Sequence, residues 1–146
     1  MSARIARIKK LLELREHGLK KAQAIFAAAE RDTVEKRGAA AREADRWLGA
    51  VEEANALRSA QVDDFIMARA DVAALRRAVE GREKELATAN AALARATGGL
   101  IHANREVRQM ELYMESAREQ LRILDKKLDR TLSDELADRA RRTKLS

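Results

Sequence analysis

Apolar residues recur at seven-residue steps through the second half of the chain. From Phe65 the row runs through Val72, Val79, Leu86, Leu93, Leu100, Val107, Met114, Leu121 and Leu128, with no Ala and no polar residue in it. Three residues after each stands a second row: Ala68, Leu75, Arg82, Ala89, Ala96, Ala103, Met110, Ala117, Leu124 and Thr131. Only Arg82 and Thr131 interrupt it. A strict heptad repeat held this long specifies a left-handed coiled-coil seam with the two rows as its a and d positions. The next a position is Glu135, and there the repeat stops. Gly98-Gly99 has the local look of a turn. The register nevertheless passes from Leu93 to Leu100 without a slip, with Gly98 at f and Gly99 at g. The pair therefore reads as a soft place in a continuous helix, costing about 1 kcal/mol per Gly relative to Ala.

The first half is helical but less regular. Its a row is Ile5, Leu12, Leu19, Phe26, Thr33, Ala40, Trp47 and Ala54. Its d row holds Ile8, Ala22, Ala29, Ala50 and Leu57, but also Arg15, Lys36 and Glu43. After Phe26 a second row competes: Val34, Ala41, Ala44, Leu48 and Val51. A drifting stripe of this kind suits a straighter helix that crosses its partner at a changing angle. The two registers part company around Asn55, Ser59 and Asp63-Asp64, where Ser59 can cap a new helix and the two Asp favour its positive end. The expected fold is all-α: a long antiparallel two-helix coiled-coil hairpin with unequal arms, forming a single domain over 1–146. Helix 1 covers about 3–56, the turn about 57–61, helix 2 about 62–140, and a basic tail 141–146. The alternative is one uninterrupted helix that dimerises.

A turn centred near residue 60 lets helix 1 cover helix 2 only as far as about residue 116. Beyond it Leu121, Leu124 and Leu128 continue the apolar row with nothing opposite, and an uncovered seam invites another protein. Charge is polarised in the same direction. Residues 1–21 carry seven basic and two acidic side chains, and residues 116–146 carry nine and six, whereas the stretch between is slightly acidic. The formal net charge of +6 therefore gathers at the end where the chain begins and finishes.

Composition narrows the chemistry. The 30 Ala and four aromatic residues leave too little bulk for a layered core, and abundant Ala, Leu, Arg, Glu and Lys mark long helices. With no Cys there is neither a disulfide framework nor a zinc–thiolate site. No apolar run is long enough to span a membrane, and Glu13 and Glu16 argue against a secretion signal, so a cytoplasmic chain is expected. His17 and His102 take outward f and c positions and read as solvated surface; two such ligands do not make a zinc site. Without a phosphate loop or a nucleophile elbow, no catalysis and no cofactor are expected. Basic residues interleave with acids and lack aromatic platforms, so no nucleic acid is expected either.

The ending Leu128-Asp129-Arg130-Thr131-Leu132-Ser133-Asp134-Glu135-Leu136-Ala137-Asp138-Arg139-Ala140-Arg141-Arg142 resembles the Asp-Glu-apolar-Ala-x-Arg ending of the FliJ/YscO family. Members are stalk proteins of type III secretion systems, flagellar and injectisome. The basic start Arg4-Ile5-Ala6-Arg7-Ile8-Lys9-Lys10-Leu11, and Trp47 late in helix 1, are similar to the injectisome branch. The resemblance implies a non-catalytic stalk at the cytoplasmic face of the secretion apparatus. Its open end would enter a hexameric export ATPase through Ile5, Ile8, Leu12, Leu121, Leu124, Leu128, Arg122, Lys126 and Arg139. Its early helix 2 would face the cytoplasmic domain of an export-gate membrane protein through Phe65, Val72, Leu75 and Arg82, without inserting into the membrane, and it could bind export chaperones. The alternative function is a stand-alone coiled-coil adaptor or scaffold, monomeric or homodimeric, unrelated to secretion.

Overall fold

The structure is a computed structural model and describes residues 2–57 and 62–145. Two helices account for nearly all of it: α1, Ser2–Ala56, and α2, Val62–Leu145. The fold is all-α, with the two helices packed antiparallel. Residues 58–61, most of the expected turn and with them the proposed cap Ser59, lie outside the described residues. Asp63 and Asp64 stand in the first turn of α2 and Arg142 and Lys144 in its last, each sign matching the helix dipole there. Where the sequence pattern ends helix 2 near 140, α2 continues to Leu145. No strand occurs among the described residues.

The heptad rows are the buried rows. Every a and d position of α2 from Ala68 to Leu121 is buried or half-buried, and residues 122–145 are exposed throughout. In α1 the a row from Ile5 to Ala54 is likewise buried or half-buried, through Thr33 and Trp47. The competing row does not form a second seam, since Val34 is 61% and Leu48 50% exposed. The polar interruptions Thr33, Lys36 and Glu43 stay at the interface instead. Helix geometry holds the heptad face toward the partner, and it is the side chains that accommodate.

Gly98 and Gly99 sit inside α2, where an added Cβ would meet nothing within 4 Å. The helix runs through them because its backbone bonds need no side chain at f or g.

Contacts group the chain, read above as a single domain, into two units: Met1–Lys20 with His102–Ser146, and Lys21–Ile101. In the first, Ile8, Met110, Met114 and Ala117 form a buried cluster against which Ile5 and Leu12 pack. Arg4 Nη1 donates to Gln120 Oε1 at 3.0 Å, and Arg15 Nη1 to Glu106 Oε2 at 3.1 Å. Cover over α2 thus reaches Leu121 and not only residue 116, because the register is offset by a few residues from the one expected. In the second unit the core is built of small residues: Val79, Ala89, Ala96, Ala54 and Thr33 are buried. Small d residues let two helices approach near the lower end of the usual 8–10 Å spacing. Thr33 shows the consequence. Its hydroxyl donates to Ala29 O at 2.8 Å and lies 3.3 Å from Ala89 O on the facing helix.

Candidate functional site

Two surfaces carry apolar side chains without cover, one in each unit. In the first unit the surface begins where α1 stops. Leu121 is half-buried, Leu124 43% exposed and Leu128 60% exposed. Two further leucines, Leu132 and Leu136, are 56% and 64% exposed. The steps from Leu121 through Leu124, Leu128 and Leu132 to Leu136 are three, four, four and four residues. At 3.6 residues per turn all five fall within an arc of about 120°, the width of a core-facing stripe. A strict heptad frame hides the last two, because it places Glu135 at the next a position; straight-helix spacing would have found them.

The charges around this stripe are solvated. Arg122 donates through Nε and Nη2 to Glu119 at 3.1 and 2.7 Å. That forked hydrogen bond, with the attraction of Arg122 and Lys126, holds the Glu119 carboxyl below the usual carboxylate range and raises the Arg122 guanidinium. Lys126 and Arg139 are exposed. Of the expected docking residues, three stand apart: Ile8 is in the buried cluster, and Ile5 and Leu12 pack on it. Their side chains are occupied by the protein's own core.

The second surface lies in the other unit, toward the start of α2. Val62, Ile66 and Met67 are well exposed and Phe65 is 42% exposed. Beside them Trp47, Val51, Phe65 and Val72 line a groove bordered by Arg69 and Arg76. Arg76 stacks 5.0 Å above the Trp47 ring and Arg69 5.8 Å above Phe65. The buried Nε1 of Trp47 has no hydrogen-bond partner among the described residues. Val72 and Leu75 are half-buried at the seam. Arg82 is held by the protein itself: its Nη1 bonds Glu85 at 3.2 Å, and its Nε lies 3.8 Å from Glu43. Trp47 stands in the a row of α1, whereas Arg69 and Arg76, one residue after Ala68 and Leu75, lie beside the seam and are the members of this surface that the heptad rows leave out.

His17 and His102 are both exposed. His102 Nε2 lies 2.9 Å from Glu106, the carboxylate that also accepts Arg15. Among the described residues no group of three or more His, Asp and Glu could hold a metal ion, and no helix is long and apolar enough to cross a membrane. What these surfaces can do is bind apolar side chains. Together the fold and the two surfaces define a class: a two-helix coiled coil whose longer helix carries an uncovered apolar stripe. No protein family, curated protein or solved structure matches this chain.

Proposed function

We propose that the protein is a non-catalytic stalk of a type III protein secretion apparatus, cytoplasmic, engaging a hexameric export ATPase with the end of α2. The observation that carries this reading is the exposed stripe of Leu124, Leu128, Leu132 and Leu136 on a helix that has outrun its partner. The similarity of residues 128–142 to the FliJ/YscO ending supports it, and those are the residues that bear most of the stripe. Burying such leucines in a partner supplies roughly 1.5–3 kcal/mol each before the costs of association. Lys126, Arg139 and their basic neighbours steer the end toward an acidic surface, an effect that fades with salt. Ile5, Ile8 and Leu12 support the docking end from within and do not touch the ring.

The mechanism is mechanical. A stiff helix pair that contacts ring subunits differently in their different states shifts the balance among those states, and only such differential contact can do so. The groove beside Trp47 and Phe65, with Val72, is the surface we assign to the export gate and its chaperones. The test uses a purified hexameric secretion ATPase: the protein should bind it and raise its turnover, and Leu128→Asp with Leu132→Asp should abolish both without loss of helicity. Failure of the unaltered protein to bind, or full activity of the variant, would favour a stand-alone coiled-coil adaptor.

A further inference from the structure

We infer that the uncovered end of α2 also binds a second copy of this chain, giving a two-fold antiparallel dimer centred on Leu128. The first observation is the symmetry of the stripe. Its five leucines are spaced almost evenly about Leu128. Two copies laid antiparallel therefore face Leu121 with Leu136, Leu124 with Leu132, and Leu128 with itself. Four of these five side chains are 43–64% exposed, and the stripe continues the buried row of Met114 and Ala117.

The second observation is electrical and independent of the first. The same alignment brings residues 139–145 of the second copy level with residues 111–117 of the first. That segment carries Arg139, Arg141, Arg142 and Lys144 and no acid. At the receiving level, between α1 and α2 of the first unit, runs a groove lined by Glu13, Glu16, Glu111 and Glu115. Leu12 and Met114 supply its apolar surface, and Lys9 and Arg118 leave it with a net negative charge. Glu111 is paired with Arg108, whereas Glu13, Glu16 and Glu115 make no ion pair among the described residues. The four cations of the incoming end make none there either.

Beyond Leu121 the second copy lies along the exposed face of α2, and near the start of α1 it must step aside. From Leu128 to the level of Glu115 is about 20 Å of helix at 1.5 Å per residue. A crossing angle of about 20°, usual for coiled coils, moves the helix sideways by about 7 Å over that length, close to one helix spacing. Two-fold symmetry makes each contact twice. The dimer covers the same leucines that the stalk reading offers to an ATPase, so it is a self-masked form, and its existence does not depend on that reading.

The absence of Cys makes the test direct. Sedimentation equilibrium should give twice the 16.3 kDa chain mass, with a dimer constant that weakens as salt rises. Arg141→Glu with Arg142→Glu should weaken it by at least about tenfold, and adding Glu115→Lys should restore part of the loss. Under mild oxidation Leu128→Cys should form an intermolecular disulfide, as should the double variant Leu121→Cys with Leu136→Cys. Leu136→Cys alone should not, because two-fold pairing keeps those positions apart. A monomer at all concentrations, or disulfides from Leu136→Cys as readily as from Leu128→Cys, overturns the proposal. Either result leaves ATPase binding to be judged by its own experiment.

Discussion

Arg82 Nε lies 3.8 Å from Glu43 Oε1, so the charged interruption of the α2 d row faces a charged interruption of the α1 d row. Glu43 is the more enclosed of the two, its side chain only 12% exposed, and Arg46 reaches it as well at 3.4 Å. Each charge alone would be a fault in an apolar seam; opposite one another they neutralise.

Removing one partner should therefore cost more than removing both. Arg82→Leu leaves an enclosed carboxylate with one cation instead of two, and should destabilise by about 1 kcal/mol in urea unfolding. Glu43→Leu with Arg82→Leu should recover most of that loss, because an apolar pair fits the seam. A double variant weaker than the sum of the singles would contradict the pairing.

Thr33 and Ala89 set how near the helices come in the second unit. Ala89→Leu should cost about 1–3 kcal/mol by overpacking a place where a hydroxyl already touches a backbone carbonyl. Thr33→Val keeps the shape, and both carbonyls sit within helices, so its cost should stay near 1 kcal/mol. Chemical denaturation of the two variants side by side checks the order.

The buried and the exposed stretches of the apolar row on α2 should respond differently to substitution. Met114, 5% exposed, belongs to the core, and Met114→Ala should cost about 2–5 kcal/mol. At concentrations where the chain is monomeric, Leu124→Asp with Leu128→Asp should leave the melting temperature nearly unchanged, since both side chains face solvent in the single chain. A large loss of melting temperature in the second variant would show that these leucines serve the protein's own packing.

Gly98→Ala and Gly99→Ala should each stabilise by about 1 kcal/mol, because an added Cβ meets open space and Ala is the better helix former. A rise in melting temperature is the expected reading. A fall would mean that the local looseness of α2 is compensated elsewhere.

The Glu119–Arg122 pair makes stability depend on pH. Its carboxyl is held below the usual range in the folded chain, first by the hydrogen bond from Arg122. Stability from the pair is therefore complete above the carboxylate range, where the unfolded side chain also ionises, and is lost as pH falls through the folded value. Arg122, raised from an already high value, stays charged throughout. Carboxyl NMR titration should place Glu119 below the usual carboxylate range, and Arg122→Gln should return it toward that range. Salt should narrow the difference, since both groups are in solvent.

The pattern of residues determined the secondary structure and the seam. Ten apolar positions at heptad spacing leave a helix one face to bury, and the structure buries that face from Ala68 to Leu121. The same spacing showed that Gly98-Gly99 is no turn, because a turn would have broken the frame. In α1 the a row was right even at Thr33 and Trp47. Pattern alone could not decide between that row and the rival through Val34 and Leu48, since a row of polar and small residues looks no better than an apolar one until a partner is in place. Only the packed pair settles it: Thr33 fits against the Ala89 backbone, and Glu43 finds Arg82. Register was decided there too. A shift of a few residues moved the end of cover from about 116 to Leu121. Ile5, Ile8 and Leu12 pack into the core there, and Leu124, Leu128, Leu132 and Leu136 stay outside it. A sequence records which side chains seek burial, but which of them receive it depends on where the other helix ends.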